Sequence, residues 1–192
     1  SVIGVSEQEG GGGGIFCVFI NNTEILIANN LIKNNSVVST LNELKGSGGG
    51  INYTHSTANP NVRNNLMFNN SARLGGAIKF AAYASNENPS IVNNTITNNI
   101  ASESGGAIYT DGSLSILNTI LWGNAAPNNQ QISTDFFLTN VLVEWSNVEG
   151  GWEGKGNIDI DPLFADTTNF FLASSSSCVD AGNPDSAFYD IE

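Results

Sequence analysis

Oxygen-bearing side chains alternate along one short segment near the carboxyl end of the chain. Asn157, Asp159 and Asp161 are separated by single isoleucines, and alternate residues of a β-strand project from the same face. Carboxylate and amide oxygens are ligands that Ca²⁺ prefers. One interpretation of this triad is therefore a calcium site.

Acidic residues that could cleave a polysaccharide are dispersed along the chain. Glycoside hydrolysis needs two carboxylates about 5–10 Å apart, and Glu87 and Glu103 come nearest to a stacked pair. Both are expected in loops. His55 is the single histidine, so a catalytic triad or a histidine metal site has too few partners. We therefore predict no catalytic residue and interpret these side chains as solvated or packed.

Aromatic side chains gather toward the carboxyl end, at Phe136, Phe137, Trp145 and Trp152. Such rings can cover the open apolar end of a repeat array. They can also form a subunit contact or stack on a sugar. We prefer the capping or core interpretation, and we retain an association surface, for another copy, the rest of a precursor or a glycan, as the alternative.

A repeated phrase in the sequence predicts the strands and corners that would position these residues. A glycine pair, a small residue and an isoleucine recur four times, and successive isoleucines are 36, 27 and 30 residues apart. Repetition at a period of about 20–50 residues is typical of a solenoid, a propeller or an array. Each glycine pair predicts a tight corner, after which the isoleucine points inward. The predicted inward column contains Ile15, Ile51, Ile78 and Ile108.

A second phrase, rich in asparagine, interleaves with the first. Copies occupy residues 29–35, 64–70 and 93–99, with a degenerate copy at 117–124. Asparagine tolerates the left-handed backbone region, and amides stacked in successive coils can form a hydrogen-bonded ladder. The predicted corner column contains Asn30, Asn65, Asn94 and Asn118.

The apolar runs are typical of strands. Residues 25–27, 66–68 and 95–97 are short, apolar or β-branched, and bracketed by polar turn formers. No window has a sustained apolar stripe at the helical period of 3.6 residues. An all-β solenoid is therefore favoured over a helical one.

These phrases together resemble the right-handed parallel β-helix repeat proteins of bacterial surfaces, within the broad pectin-lyase-like fold group. The resemblance extends over residues 10–186 and includes Ile-Leu-Trp-Gly-Asn at 120–124 and Asp-Ala-Gly-Asn-Pro at 180–184. It implies an all-β solenoid of about five to six coils, secreted or displayed on a bacterial surface. It also implies that the Asp-Pro-Leu-Phe segment at 161–164 is a structural turn, which we prefer to the calcium interpretation.

The resemblance divides the chain into three parts. Residues 1–14 are expected to be a glycine-rich entry segment, residues 15–165 the β-helix coils, and residues 166–192 the last coil and exit segment of a longer precursor. Family members usually continue beyond the Asp-Ala-Gly-Asn-Pro segment, whereas this sequence stops at Glu192, and it starts at Ser1 without methionine. We therefore expect part of a longer precursor.

Composition restricts the classes of partner. The 192 residues suffice for one domain with a core, and their formal charge is −12, of which residues 135–192 carry −10. Phosphate binding needs clustered Lys and Arg, so we expect no nucleic acid partner, and no apolar run is long enough for membrane insertion as a helix. Cys17 and Cys178 are expected several coils apart, beyond the reach of about 7 Å between Cα atoms for a disulfide.

These expectations combine into one functional hypothesis. We predict a non-catalytic extracellular β-solenoid of structural or adhesin type, without a cofactor unless calcium binds, that self-associates into surface filaments or contacts the rest of its precursor. The alternative is a β-helix that binds or cleaves carbohydrate.

Overall fold

The computed structural model describes residues 13–18, 25–38, 46–54, 59–81, 89–134 and 140–185. These segments contain short strands and turns but no helix, and so no helix that could cross a membrane. The strands are β1 (Ile15–Val18), β2 (Ile25–Ala28), β3 (Leu31–Lys33), β4 (Ile51–Thr54), β5 (Pro60–Arg63), β6 (Leu66–Phe68), β7 (Ser71–Leu74), β8 (Ile78–Ala81), β9 (Ser90–Val92), β10 (Thr95–Thr97), β11 (Ile100–Ser104), β12 (Ile108–Thr110), β13 (Leu114–Leu117), β14 (Ile120–Trp122), β15 (Ile132–Thr134), β16 (Val141–Glu144) and β17 (Asn147–Val148).

Three parallel five-stranded sheets form the walls of a solenoid. Sheet A contains β1, β4, β8, β12 and β15; sheet B contains β2, β5, β9, β13 and β16; sheet C contains β3, β6, β10, β14 and β17. Strands β7 and β11 form a short sheet D. Each coil contributes one strand to sheets A, B and C in turn, because turn residues interrupt every apolar run. The prediction of an all-β parallel β-helix is confirmed.

Isoleucines stack inside sheet A. The register pairs Ile15 with Ile51, Ile51 with Ile78, and Ile78 with Ile108. Ile51, Ile78 and Ile108 are fully buried, and Ile15 in the first coil is half-buried. Complete burial of one such side chain stabilises the fold by about 1.5–3 kcal/mol. The column continues to Ile132, which no glycine pair precedes and which the repeated phrase therefore did not predict.

Sheets B and C supply the other walls of the core. In each sheet the register aligns one buried apolar side chain from every interior coil, so the core is continuous along the solenoid axis. The aligned residues are Val62, Ile91, Ile116 and Val143 in sheet B, and Met67, Ile96, Leu121 and Val148 in sheet C.

The glycine pairs form the corner that leads into sheet A. Gly75 has a φ of +63°, a left-handed conformation that is costly for most residues with a Cβ atom. A Cβ atom on Gly76 would collide with the carbonyl oxygen of Gly106 in the following coil. The first glycine of the pair therefore turns the chain, and the second lets neighbouring coils approach closely.

Residues 161–185, which we call the strap, leave the coil path and fold back over sheet C. Phe164 and Leu172 pair as an antiparallel bridge. Phe170, in the turn of this hairpin, packs on Phe68 with ring centroids 4.9 Å apart. Phe68 lies in β6, and β10 and β14 separate β6 from β17 within the sheet. The strap therefore reaches across several coils.

This course differs from the last coil expected for residues 166–192. Pro162 has no N–H to donate to a strand ladder, so the chain cannot continue the sheet at that point. Leu163 and Phe170 have left-handed φ angles of 49° and 54°, which reverse the chain direction. The strap, which ends at residue 185 of the described chain, consequently packs along the outside of the solenoid.

Candidate functional site

An amide ladder runs along the corner between sheets B and C. Oδ1 of Asn65 accepts hydrogen bonds from the backbone N–H and the side-chain amide of Asn30, each at 3.0 Å. Oδ1 of Asn94 accepts the same two hydrogen bonds from Asn65, at 2.9 and 3.0 Å. Asn65 and Asn94 are buried, where an unsatisfied polar group would cost about 1–3 kcal/mol. The ladder satisfies both amides, since each also donates a side-chain N–H to a carbonyl of the preceding coil, that of Ile27 for Asn65 and that of Val62 for Asn94.

Thr119, not Asn118, continues this ladder in the fourth coil. Asn94 donates its backbone N–H to Oγ1 of Thr119 at 3.3 Å, and the N–H of Thr119 donates to Oγ of Ser146 at 3.1 Å. The prediction of Asn118 as the fourth member is therefore corrected by one residue. Asn118 has a left-handed φ of 48°, which places it at the outer corner. Oδ1 of Asn157 ends the ladder by accepting the N–H of Ser146 at 3.0 Å.

A second ladder, which we did not predict, follows sheet C. Asn35 donates its backbone N–H and side-chain amide to Oδ1 of Asn70, at 3.1 and 2.9 Å. Asn70 repeats this pattern with Asn99, and Asn99 with Asn124. The signal was present in the sequence, because these residues are the last asparagines of the second repeated phrase.

The second ladder ends on a carboxylate. Asn124 donates its amide to Oε1 of Gln131 at 2.8 Å, and Gln131 donates to Oε2 of Glu149 at 2.9 Å. The same Glu149 oxygen accepts the backbone N–H of Gly123 at 2.8 Å. An ionised carboxylate accepts hydrogen bonds and donates none, so it terminates the chain of donors.

The outer corner beside the first ladder changes residue type in the fifth coil. Asn29, Asn64, Asn93 and Asn118 occupy this corner in the first four coils, with left-handed φ angles between 48° and 59°. Trp145 occupies it in the fifth, with φ of 49°. Asparagine adopts this conformation readily, whereas a bulky residue does so at a cost.

Neighbouring residues hold the Trp145 indole in place. Its backbone N–H donates to the carbonyl of Lys155 at 2.7 Å, and the Lys155 ammonium lies 5.5 Å from the ring centroid. Gly156 lies so close to the ring that a Cβ atom there would collide with it. Trp145 is half-buried, so part of the indole is accessible.

A cleft of about 530 Å³ opens beside Trp145, where the strap meets the outer corner. The backbone N–H of Asn183 donates to Oδ1 of Asn118 at 2.8 Å. The amide of Asn147 donates to Sγ of Cys178 at 3.0 Å. These two hydrogen bonds fix the strap against the solenoid, and all four residues line the cleft.

The three residues considered as an alternative calcium site have separate hydrogen-bond partners. Asn157 ends the first ladder, Oδ1 of Asp159 accepts the N–H of Gly150 at 3.1 Å, and Oδ1 of Asp161 accepts the N–H of Leu163 at 2.8 Å. The last of these is an Asx-turn. Within the described residues, no group of three or more His, Cys, Asp or Glu side chains could hold a metal ion.

The predicted aromatic association surface is only partly described. Phe136 and Phe137 lie outside the described residues. Trp152 is half-buried and packs against the core, and Trp145 lines the cleft. The two tryptophans thus occupy different surroundings.

The carboxylates considered for catalysis are not brought together as a described pair. Glu103 forms an exposed ion pair with Arg73, linking β11 to β7, and such surface pairs contribute about 0–1 kcal/mol. Glu87 lies outside the described residues, as does His55.

Comparison with known families matches one repeat of the chain. Residues 95–111 match the Chlamydia polymorphic membrane protein repeat. This segment covers β10, β11 and β12 and contains the pair Asn98-Asn99 and the Gly-Gly-Ala-Ile phrase at 105–108. The chain matches no curated protein and no solved structure.

Proposed function

We propose that this protein is a non-catalytic β-solenoid of adhesin type, displayed on a bacterial surface. The observation that carries the proposal is the match of residues 95–111 to a repeat of a bacterial membrane protein family. The matched segment lies in the middle of the stacked coils, where β10 and β12 pair with strands on both sides. The glycine pair and the asparagine pair of the matched segment recur in neighbouring coils of the stack.

The stacked coils would act as a stiff support for exposed surfaces. In a solenoid each coil contacts mainly its neighbours, so stability is approximately a sum over coil interfaces. Here every interface combines backbone hydrogen bonds of three sheets with side-chain bonds at two corners. Such a support holds turns and loops at fixed positions along its axis, which suits adhesion better than a single flexible chain would.

The acidic charge favours partners that are neutral or basic. The formal charge of the chain is −12, and like charges repel an approaching polyanion at low ionic strength. We therefore propose protein or neutral glycan surfaces as targets in preference to acidic polysaccharides.

Adhesion of coated beads tests this function. Beads carrying the folded protein should be retained on cultured epithelial cells or on extracellular-matrix proteins several-fold more than albumin beads. Ile78→Asp is the matched control, because a carboxylate in the fully buried Ile78 position should unfold the domain. Equal retention of both kinds of bead would contradict the proposal.

Self-association into filaments is the second part of the proposal. Strands β1, β2 and β3 are the terminal strands of sheets A, B and C at one end of the solenoid, and unpaired strand edges favour association. Negative-stain electron microscopy at high protein concentration should show linear assemblies. Particles of monomer size throughout the concentration series would remove this part and leave the adhesion proposal standing.

A further inference from the structure

We propose that the cleft beside Trp145 binds a neutral sugar, as a hexose ring or as the end of a neutral oligosaccharide. This inference rests on the proposed function, which includes neutral glycans among its targets, and assigns that binding to one site. It depends on three observations: an aromatic ring in a strained position, polar groups left without partners, and the size and charge of the cleft.

The first observation is the exchange of asparagine for tryptophan at the outer corner. Asn64, Asn93 and Asn118 hold this left-handed position in the preceding coils, and Trp145 holds it in the fifth with φ of 49°. Asparagine would adopt this backbone more easily. Strained backbone conformations cluster at functional sites. A flat, half-buried indole fixed by Lys155 offers the apolar face on which a sugar ring can stack.

The second observation is a set of unused polar groups around the ring. Among the described residues, the side-chain amide nitrogens of Asn118 and Asn183 donate to no acceptor, although the Oδ1 atom of each accepts a hydrogen bond. The carboxylate of Asp180 has no hydrogen-bond or ionic partner in the same part of the chain. All three residues line the cleft. Amide donors beside a carboxylate acceptor match the paired donor and acceptor character of neighbouring sugar hydroxyls.

The third observation is the size and charge of the cleft. A volume of about 530 Å³ is within the range of small-molecule sites. Asp180 is the sole charged residue that lines the described cleft, and residues 135–192 carry −10. An acidic sugar would meet repulsion there, so the ligand is a neutral sugar.

Titration with a panel of neutral sugars tests the site. We would use maltose, cellobiose, lactose and methyl mannoside, with digalacturonate as the acidic comparator, and measure binding by calorimetry and saturation-transfer NMR. At least one neutral sugar should bind in the millimolar range, and digalacturonate should bind more weakly. Absence of binding by every neutral sugar, or tighter binding of digalacturonate, would overturn the proposal.

Trp145→Asn is the decisive variant, because it restores the residue that the corner has in the other coils. The variant should keep or raise the melting temperature and should lose about tenfold in affinity, as expected for one aromatic contact. Phe171→Ala is the matched control on the strap, since Phe171 is 67% exposed and does not line the cleft, and it should bind as the parent does. Unchanged affinity in Trp145→Asn would exclude the site.

A second measurement avoids any dependence on folding of the variant. Cys178 lines the cleft, so its alkylation with N-ethylmaleimide in the folded protein should block sugar binding. Undiminished binding by the alkylated protein would count against the cleft. Bead adhesion through other surfaces would survive this treatment, so failure of the sugar site and failure of the adhesion proposal are distinguishable.

Discussion

Asn94 donates its backbone N–H to the hydroxyl of Thr119, 3.3 Å away, and at this contact the corner ladder changes from amide to hydroxyl. Thr119 is completely buried and donates its own hydroxyl to the carbonyl of Leu117 at 2.9 Å. The inner corner of the fourth coil is therefore filled by a smaller side chain. Asn118 holds the outer corner, where its Oδ1 receives the strap.

Replacement of Asn70 by aspartate should destabilise the protein strongly at neutral pH. Asn70 is completely buried, and its amide donates to the carbonyl of Ile32 and to Oδ1 of Asn99, each at 2.9 Å. A carboxylate would face these two acceptors without a proton to donate. We expect a loss of roughly 3 kcal/mol or more in the free energy of unfolding, measured by chemical denaturation.

The same variant has a diagnostic pH dependence. Burial raises the pKa of an introduced carboxyl above its unfolded value of about 3.9. The folded state then binds the proton more tightly, so the stability loss should shrink as the pH falls. Asn69→Asp is the control, since Asn69 is exposed; it should change stability by less than about 0.5 kcal/mol. Equal losses in the two variants would contradict the ladder's contribution.

Phe170→Ala should release the strap. Phe170 is 6% exposed, and its ring lies 4.9 Å from that of Phe68 and 5.2 Å from that of Phe164. Removal of a buried phenylalanine ring costs about 3–5 kcal/mol in a well-packed site. This loss is larger than the stability that we expect of a short hairpin, so the hairpin should detach. The amides of Ala165 and Ala173, which close the hairpin, should exchange with solvent faster while those of the coils do not.

The neighbouring residue provides the control for the strap. Phe171 is 67% exposed, so Phe171→Ala should leave hydrogen exchange of the hairpin nearly unchanged. Comparable acceleration by both variants would mean that the tip of the hairpin is not held by the Phe170 ring.

The two cysteines should differ in reactivity. Burial raises the pKa of the Cys17 thiol, which lowers the fraction of the reactive thiolate at pH 8. Cys178 is half-buried beside the cleft. Iodoacetamide should therefore modify Cys178 well before Cys17 in the folded protein, and at similar rates after denaturation, as mass spectrometry of tryptic peptides can show. Faster modification of Cys17 would contradict its burial.

Protonation of Asp166 at acid pH should destabilise the hairpin of the strap. The backbone N–H groups of Asn169 and Thr168 donate to its carboxylate and hold the pKa of Asp166 below its ordinary value. Because the folded pKa is lowered, the contribution to stability is present above the unfolded value of about 3.9 and is lost as the pH falls through the folded value. NMR of the hairpin amides should show this transition, and Asp166→Asn should abolish it.

Regular features were predictable from the sequence, and departures from the repeat were not. Ile51, Ile78 and Ile108 follow equivalent glycine pairs, so equal spacing implied their stacking. The fourth member of the first ladder was predicted at Asn118, one residue before Thr119, because that copy of the phrase is degenerate. The contact of Phe170 with Phe68 is not part of the repeat, so no spacing in the sequence indicates it. It joins distant parts of the chain only in the folded state.

The cleft could not be predicted from the sequence for a related reason. Trp145 was identified as an aromatic candidate, but its left-handed backbone becomes visible only when the coil places it in register with Asn118. Asp180 and Asn183 reach it through the strap, whose course no pattern in the sequence indicated.

The one-way direction of the asparagine amides gives the solenoid an electrical polarity. Backbone hydrogen bonds between coils run both ways, as when Val37 donates to Ser71 and Ser71 donates to Asn35, so their dipoles largely cancel. The amide-to-amide bonds run one way: Asn70 accepts at Oδ1 from Asn35 and donates to Oδ1 of Asn99, besides donating to the carbonyl of Ile32 in the preceding coil. The aligned amide-to-amide bonds of the second ladder add up to a dipole, as aligned peptide units do in an α-helix. Glu149 accepts a hydrogen bond at the positive end of the second ladder. Its negative charge there is equivalent to that of an acidic residue at the amino terminus of a helix.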